Sequence, residues 1–298
     1  MMNPPLSELA QSYMQRCAVI RNYAPSTIKN YERTFALFFK LSTVEYPKDL
    51  NLRILEDWFF HGRLERKWSA VTFRSHLKYL NTFMKWLVKN EYIKENYLDQ
   101  LEKPRLEHKI PRTLTREQAL KVLEYSFNMA YVYRLCKYRN RAIVAIMLMA
   151  GLRRGEVLKL KLNDVSIENG SIFINQGKGS KDRVIPINSR LKILLSEYLQ
   201  QRQKFGKKCI HFFTGVQKDI PLGESGIEKV MTTLKKRTKI NFSSHTLRHA
   251  FARLMLEGGC DIYTLSKLMG HSKITTTTIY LSCSTQQMSK SVEMHSLN

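Results

Sequence analysis

A stretch near the C-terminus runs SSHTLRHAFARLMLEGGCDIYTLSKLMGHSKITTTTIY over residues 243–280, and it concentrates side chains that suit phosphate chemistry. His245 and Arg248 are three residues apart, a spacing that places both on one face of a helix. His271 ends a second apolar-periodic segment, and Tyr280 follows nine residues later. A guanidinium, two imidazoles and a phenol in this order indicate a site that handles phosphate.

The charge of the whole chain points to a polyanionic partner. The chain has 298 residues, and its 49 Lys and Arg against 25 Asp and Glu give a formal net charge of +24. Such a balance is typical of proteins that bind nucleic acid. There is no apolar run of membrane-spanning length, and the N-terminus does not resemble a signal peptide. We therefore expect a cytoplasmic protein that does not bind a membrane.

The cysteine and histidine spacings predict neither a metal site nor a disulfide framework. The five cysteines are widely spaced without a CxxC pair, so we expect buried, reduced thiols at Cys17, Cys136, Cys209, Cys260 and Cys283. His245 and His249 have the i,i+4 spacing of a metal pair, but a third ligand in a supporting context such as HExxH is missing. The expected chemistry uses no metal and no cofactor.

The N-terminal part of the chain predicts a small helical bundle. Apolar residues recur at helical spacing over residues 6–20, from residue 26 onward, and over residues 52–62 and 69–90. The polar faces of these segments carry many basic residues: Arg21, Lys29, Arg33, Arg63, Arg66, Lys67, Arg74, Lys78 and Lys85. Each alone is an ordinary surface charge, but the set favours contacts to a phosphate backbone.

A linker divides the chain into two predicted domains. Residues 103–112, KPRLEHKIPR, contain two prolines and few apolar residues, which argues against a helix or a strand. The predicted boundaries are therefore 1–102 for the helical domain, 113–283 for the second domain and 284–298 for a polar C-terminal tail.

The second domain combines helices with a small sheet. Short strands are predicted at 171–174 and 183–186, on either side of a GKGSKD turn. Helices are predicted around them, among them one that begins after Thr115 with a capping pattern and an apolar one that ends at Gly151. The predicted fold class is mainly α, with a small antiparallel β-sheet in the C-terminal domain.

Breaking a phosphodiester without a metal needs a nucleophile, cations for the developing charge and a proton for the leaving oxygen. Arg153 and Arg248 carry guanidinium groups, which bind phosphate oxygens in pairs. Lys178 lies at the tip of a glycine-flanked turn, where its amine is free to donate a proton. Tyr280 is the candidate nucleophile, and His245 and His271 can hold a phosphate or move protons. Taken alone, the lysine, either histidine and the tyrosine are more often structural, whereas a salt bridge accounts for Arg248 less well than phosphate binding does.

Five motifs in fixed order resemble those of the tyrosine recombinase, or phage integrase, family. They are AGLRRGEV at 150–157, INQGKGSKDRVIP at 174–186, HTLRHAFA at 245–252, LMGHS at 268–272 and TTTTIY at 275–280. The resemblance covers about residues 113–282, and the N-terminal part resembles the family's core-binding domain less specifically. The chain is most similar to the compact, two-domain Xer-type members. Ser244, Arg253 and Met269 depart from the usual motifs without removing a catalytic group.

The resemblance implies a two-domain DNA clamp and a reaction path. In it, Tyr280 attacks the scissile phosphate to form a 3′-phosphotyrosine and releases a 5′-hydroxyl. Arg153 and Arg248 bind the non-bridging oxygens, and Lys178 protonates the leaving 5′-oxygen. A partner strand then attacks the phosphotyrosine and completes the exchange, without a metal.

The resemblance also implies supporting residues and partners. His245 is expected to act as a general acid or base, and His271 to hydrogen-bond the phosphate. Glu156 is expected to orient His245 or Arg153, and His249 supports the site. Four protomers, identical or from a related recombinase, are expected on two double-stranded recombination sites, with the tail a candidate for docking in trans.

Several functions remain open at this level. Chromosome or plasmid dimer resolution competes with integration, excision or inversion of a mobile element. A DNA-binding regulator without chemistry would use residues 261–281 as a helix-turn-helix. A type IB topoisomerase would share the tyrosine nucleophile, and a metal-dependent nuclease would share only the substrate.

Overall fold

The structure is a computed structural model that describes residues 4–106, 112–175, 182–271 and 273–280. The chain divides into two compact units, Met1–Lys109 and Ile110–Asn298, and each has its own apolar core. Within the described ranges, no helix has the length and apolar character needed to cross a membrane. Part of the predicted linker, the tip of the predicted hairpin and the predicted tail lie outside the described residues.

The first unit is the predicted helical bundle. Its helices are α1 (Leu6–Val19), α2 (Pro25–Leu41), α3 (Leu52–Leu64) and α4 (Ala70–Lys89). Tyr31, Phe35 and Phe38 recur at helical spacing on α2 and are buried against the other helices. Ser69 caps α4, because its hydroxyl accepts a hydrogen bond from the backbone N–H of Thr72.

The second unit is helical around a three-stranded sheet. Its elements in chain order are α5 (Arg116–Asn128), α6 (Arg134–Met149), α7 (Arg154–Lys159), β1 (Val165–Ser166), β2 (Ser171–Ile174), β3 (Arg183–Pro186), α8 (Ser189–Lys204), α9 (Glu224–Thr238), α10 (Ser244–Glu257) and α11 (Ile262–Met269). The strands pair antiparallel in the order β1-β2-β3, with Ile172 opposite Ile185. The predicted fold class, mainly α with a small antiparallel sheet in the C-terminal part, is confirmed.

Helix α6 is the centre of this second core. Its apolar residues from Ala142 to Met147 are fully buried, and the helix packs against α5, α8 and α10. The chain leaves α6 through Gly151, whose φ of +65° suits glycine. A Cβ there would come within 2.3 Å of the Phe251 ring on α10. The glycine therefore allows the start of α7 to lie directly against α10.

The cysteine prediction is only partly correct. The four described cysteines are free thiols, but only Cys17 is buried, while Cys136, Cys209 and Cys260 are partly exposed. Cys136 lies in the first turn of α6, and Cys209 and Cys260 lie in the segments after α8 and α10, where the core does not enclose a small side chain. Cys283 lies outside the described residues.

Two glycines of the same motif give a matched test of this packing. Gly151→Ala should destabilise the protein by about 2 kcal/mol or more, because it places a side chain at positive φ and against Phe251. Gly155→Ala, in α7, adds a methyl group with nothing within 4 Å and should be neutral or slightly stabilising. Calorimetric melting of both variants measures the difference, and equal melting temperatures would contradict this account.

Candidate active site

The N-terminus of α7 places Arg153 and Glu156 next to each other. Arg153 caps the helix, and its backbone N–H and Nη1 donate to the Glu156 carboxylate at 2.7 and 2.8 Å. Its Nη2 donates to the Gly270 carbonyl at 3.0 Å, and its side chain is 34% exposed. A cation is disfavoured at a helix N-terminus, and the carboxylate compensates for this cost.

A third residue, Arg183 on β3, also binds Glu156. Its Nη1 and Nη2 donate to the two carboxylate oxygens at 3.0 and 2.9 Å, and its Nε donates to the Leu268 carbonyl at 2.9 Å. Sequence reasoning missed this residue. The signal was the alternation along β3, which puts Arg183 on the same face as the buried Ile185, two residues later.

Arg248 on α10 completes a set of three guanidinium groups around one carboxylate. It is 5% exposed, and its Nη1 lies 3.9 Å from Glu156 Oε2. Nη1 donates to the Gly151 carbonyl and Nη2 to the Met269 carbonyl, both at 2.5 Å. Nη2 also lies 3.3 Å from His271 Nε2. The set therefore joins α7, β3, α10 and the end of α11.

The charges in this set keep their ordinary signs at neutral pH. Burial alone would raise the pKa of the Glu156 carboxyl, but the charge of Arg183 and hydrogen bonds from Arg153 and Arg183 outweigh it and hold the pKa below its usual range. Burial, together with the like charge of Arg153, lowers the pKa of Arg248 to about 10. Three positive charges therefore surround one negative charge, and the surplus attracts an anion.

His271 is fixed by the turn that ends α11. Gly270 has a φ of +61°, and the backbone N–H of His271 donates to the Ser266 carbonyl at 3.1 Å, which closes the helix end. The ring's Nδ1 lies 2.8 Å from Thr277 Oγ1. Because a guanidinium can only donate, His271 Nε2 accepts from Arg248, and we assign the ring proton to Nδ1.

Tyr280 contacts a histidine rather than an arginine. Its hydroxyl lies 2.5 Å from Nδ1 of His249 on α10, and the half-buried ring packs near Phe251 and Met269. Burial raises the pKa of the Tyr280 phenol and outweighs the charges of Arg248 and Arg153, which act to lower it. Burial and the charges of His245 and Arg248 lower the pKa of His249. A protonated phenol therefore donates to an unprotonated imidazole nitrogen.

Two of the predicted residues lie apart from these contacts or cannot be placed. His245 is exposed in the first turn of α10, one turn before His249, and its charge helps to lower the pKa of His249. Lys178 lies in the hairpin tip, residues 176–181, outside the described residues. No group of three His, Cys, Asp or Glu that could hold a metal occurs within the described parts of the chain.

Residues 112–287 match the phage integrase family. The chain belongs to this family. Its curated relatives include the tyrosine recombinase XerA of Thermococcus onnurineus, 34% identical over 67% of this chain and 69% of that protein. XerA of Pyrococcus horikoshii is 28% identical over 84% of this chain and 95% of that protein. XerC of Leptospira interrogans is 26% identical over 95% of this chain and 91% of that protein.

Solved structures of recombinases share the fold of this integrase-family chain. The Tn1549 transposon integrase in complex with transposon right end DNA superposes with a TM-score of 0.74 at 20% identity, over 96% of this chain and 98% of that one. The XerH site-specific recombinase bound to difH substrate has a TM-score of 0.73 at 22% identity, over 97% of this chain and 85% of that one. With the curated relatives, these matches confirm the predicted Xer-type tyrosine recombinase, a site-specific DNA recombinase.

The His271 ring should titrate far below the range of an ordinary histidine. Burial and the charges of Arg248 and Arg153 lower its pKa from 6.5 to about 4. Between pH 6.5 and about 4, the imidazole of His271 is protonated in the unfolded chain but neutral in the folded protein. The free energy of unfolding should therefore fall as the pH drops from 6.5 towards 4. His271→Asn should remove this part of the pH dependence.

An NMR titration of the imidazole resonances measures this pKa directly. The His271→Asn variant assigns the resonance, and urea unfolding of both proteins across the same pH window gives the difference in stability. A His271 signal that titrates near 6.5 would show that burial and the neighbouring cations do not lower the pKa of this ring.

Proposed function

We propose that Tyr280 of this recombinase cuts duplex DNA at specific sites by forming a 3′-phosphotyrosyl bond, and that the same site rejoins the strands. The observation that carries this proposal is the placement of a hydrogen-bonded phenol near three guanidinium groups that share one carboxylate. Attack by the phenol exchanges one phosphate ester for another, so that rejoining needs no external energy source and no cofactor.

Arg153 and Arg248 are the proposed phosphate-binding residues. Their guanidinium groups come from different helices but meet at Glu156, and Arg153 is exposed enough to face a ligand. As the phenol attacks, the charge on the phosphate oxygens increases, and fixed cations stabilise that increase without having to reorganise. Glu156 orients Arg153 through the two hydrogen bonds described above.

His249 is the proposed acceptor of the phenol proton, a more specific role than the supporting one expected from the sequence. Its Nδ1 lies 2.5 Å from the Tyr280 hydroxyl, and the lowered pKa of His249 keeps the imidazole neutral, so that Nδ1 can accept the proton. As the O–P bond forms, the proton passes from the phenol to Nδ1, while the P–O5′ bond breaks. His245, one turn earlier on α10, is proposed as a further acid or base.

Lys178 and His271 are proposed to act on the phosphate and the leaving group. Lys178 protonates the departing 5′-oxygen, a role that rests on the motif. His271 is proposed to bind a phosphate oxygen. Because its Nε2 carries no proton beside Arg248, this bond requires proton uptake, which the negative charge of the phosphate favours.

The proposed substrate is double-stranded DNA bearing a pair of recombination sites, and the proposed location of the enzyme is the cytoplasm. Four protomers, identical or from a related recombinase, would act on the two sites. In each protomer, residues 1–102 would form the core-binding domain and residues 113–283 the catalytic domain, joined by a linker at 103–112. Both dimer resolution and movement of a mobile element fit, since the solved relatives include a Xer recombinase on its difH substrate and a transposon integrase on transposon DNA. The tail at 284–298 is a candidate for docking on a neighbouring protomer.

A nicked suicide substrate tests the covalent mechanism. After cleavage the short 5′-hydroxyl fragment diffuses away, so a phosphotyrosyl adduct accumulates. Wild-type protein should form the adduct in the presence of a chelator, whereas Tyr280→Phe should bind the same DNA and form none. Candidate sites come from the ends of a mobile element and from the chromosomal resolution region. Specific binding by the wild type without an adduct would favour the regulator, and loss of cleavage in chelator would favour the nuclease.

Removing the proton acceptor should slow cleavage without changing DNA affinity. His249→Asn can keep a hydrogen bond to Tyr280 but cannot take up its proton, and His249→Phe keeps only the ring. Both should cleave the suicide substrate about 10²-fold more slowly at neutral pH. The defect should shrink as the pH rises, because the phenol then ionises without help. His249→Asn with nearly wild-type rates would mean that His249 only orients the phenol.

A further inference from the structure

Arg183 lies within the motif at residues 174–186, but no role was predicted for it from the sequence. Its side chain is 8% exposed, and its guanidinium makes a bidentate pair of hydrogen bonds to the two carboxylate oxygens of Glu156. We propose that Arg183 is a positioning residue for strand cleavage. By holding the Glu156 carboxylate, it keeps the charges of Arg153 and Arg248 available to the phosphate. This inference rests on the proposed function.

The hydrogen bonds around Glu156 fix the position of its carboxylate. Both of its oxygens accept from Arg183 and from Arg153, and the Nη1 of Arg248 stays 3.9 Å away from Oε2. A guanidinium fork matches a carboxylate in shape, so Arg183 determines the plane and position of the carboxylate. If Arg183 were absent, the attraction between Glu156 and Arg248 would draw the two together and reduce the positive charge that Arg248 presents to an anion.

Hydrogen-bond partners separate the role of Arg183 from those of Arg153 and Arg248. The side chains of Arg183 and Arg248 are both enclosed, at 8% and 6% exposed, but Arg183 donates from both Nη atoms to the Glu156 carboxylate, whereas Arg248 Nη1 lies 3.9 Å from it. The Arg153 side chain is 34% exposed, and Arg183 also donates from Nε to the Leu268 carbonyl at 2.9 Å. Leu268 lies in the last turn of α11, three residues before His271. Arg183 therefore acts through Glu156 and through this turn, and it does not need to touch the phosphate.

The charge balance gives the same result. Three guanidinium groups and one carboxylate leave a surplus of two positive charges, and one of the three, Arg183, donates from its guanidinium to both carboxylate oxygens. Arg183 thus neutralises Glu156, which leaves the other two cations for the phosphate oxygens. Loss of Arg183 should weaken stabilisation of the transition state more than it weakens binding of the DNA, because only the transition state carries the extra charge.

Single-turnover cleavage of the suicide substrate by Arg183→Met and Arg183→Lys tests this role. Met keeps much of the buried stem without charge, and Lys keeps the charge without the fork. Arg139→Met is the matched control, because Arg139 is likewise a largely enclosed arginine but donates to the Thr214 carbonyl and to Asn140, not to site residues. Melting temperature and DNA affinity are measured for each variant.

Two altered substrates separate the possible causes of a slow rate. A methylphosphonate at the scissile position replaces a charged non-bridging oxygen by a methyl group, so it needs less cationic stabilisation. A 5′-thio leaving group departs without needing a proton, so it bypasses the leaving-group acid. Arg153→Ala calibrates the methylphosphonate response, and Lys178→Ala calibrates the thio response.

Arg183→Met should cleave the ordinary phosphate roughly 10²-fold more slowly, as expected when a catalytic group is misplaced by about 1 Å, while its DNA affinity stays within about twofold of wild type. The defect should largely disappear on the methylphosphonate and persist on the 5′-thio substrate. Arg183→Lys should recover part of the rate. Arg139→Met should show no such dependence on the substrate, whatever its melting temperature.

Three results would overturn the inference. Rescue of Arg183→Met by the 5′-thio group alone would assign Arg183 to the placement of the Lys178 hairpin. A loss of rate that is equal on all substrates and follows melting temperature, as in Arg139→Met, would assign it to stability. Wild-type rates would show that it has no role. If Arg183→Met does not fold, Arg183→Lys carries the same comparison.

Failure of the proposed function gives a different result. In that case, the wild type forms no phosphotyrosyl adduct on any substrate, and the inference about Arg183 falls with it. An active wild type whose Arg183 variants lack the charge-dependent defect overturns only the inference.

Discussion

The carboxylate of Glu156 is the interaction on which the site depends. It binds Arg153 from the start of α7 and Arg183 from β3, and it lies near Arg248 from α10. Three guanidinium groups at such short range repel one another, and burial adds a desolvation cost for each. One well-bonded carboxylate offsets both effects. Removing it would leave buried, unpaired cations, which is a severe perturbation in proteins.

The rest of the site is held by backbone carbonyls at two turns. Gly151 accepts from Arg248, and the C-terminal end of α11 presents the carbonyls of Leu268, Met269 and its cap Gly270 to the three guanidinium groups. Both turns contain a glycine at positive φ. The chemistry is therefore arranged by the connections between helices, and the apolar core supplies the rigid support behind them. This division explains why the motifs centre on Gly-Leu-Arg and Gly-His.

Sequence reasoning found the groups but not all of their partners. Strands β2 and β3 have the predicted bounds because alternation and a glycine-rich turn identify a hairpin directly, whereas β1, with two residues, is too short to show a period. The pairing of Arg183 with Glu156 depends on how the hairpin lies against α7, which no local pattern encodes. The contact between Tyr280 and His249 spans 31 positions and ends in a threonine-rich segment without apolar periodicity. Motifs specify residue types, and tertiary packing specifies which of them meet.

The two sides of the site differ in charge, and this difference bears on how the proposed reaction would be controlled. On the nucleophile side, burial keeps Tyr280 protonated and the bonded imidazole of His249 neutral. On the phosphate side, three guanidinium groups and Glu156 leave a surplus of two positive charges. A phosphodiester carries one negative charge, and the charge on the attacked phosphate rises towards two as the phenol proton passes to His249. The fixed surplus therefore matches the transition state better than the bound substrate, which is the condition under which electrostatic attraction accelerates a reaction instead of only tightening binding.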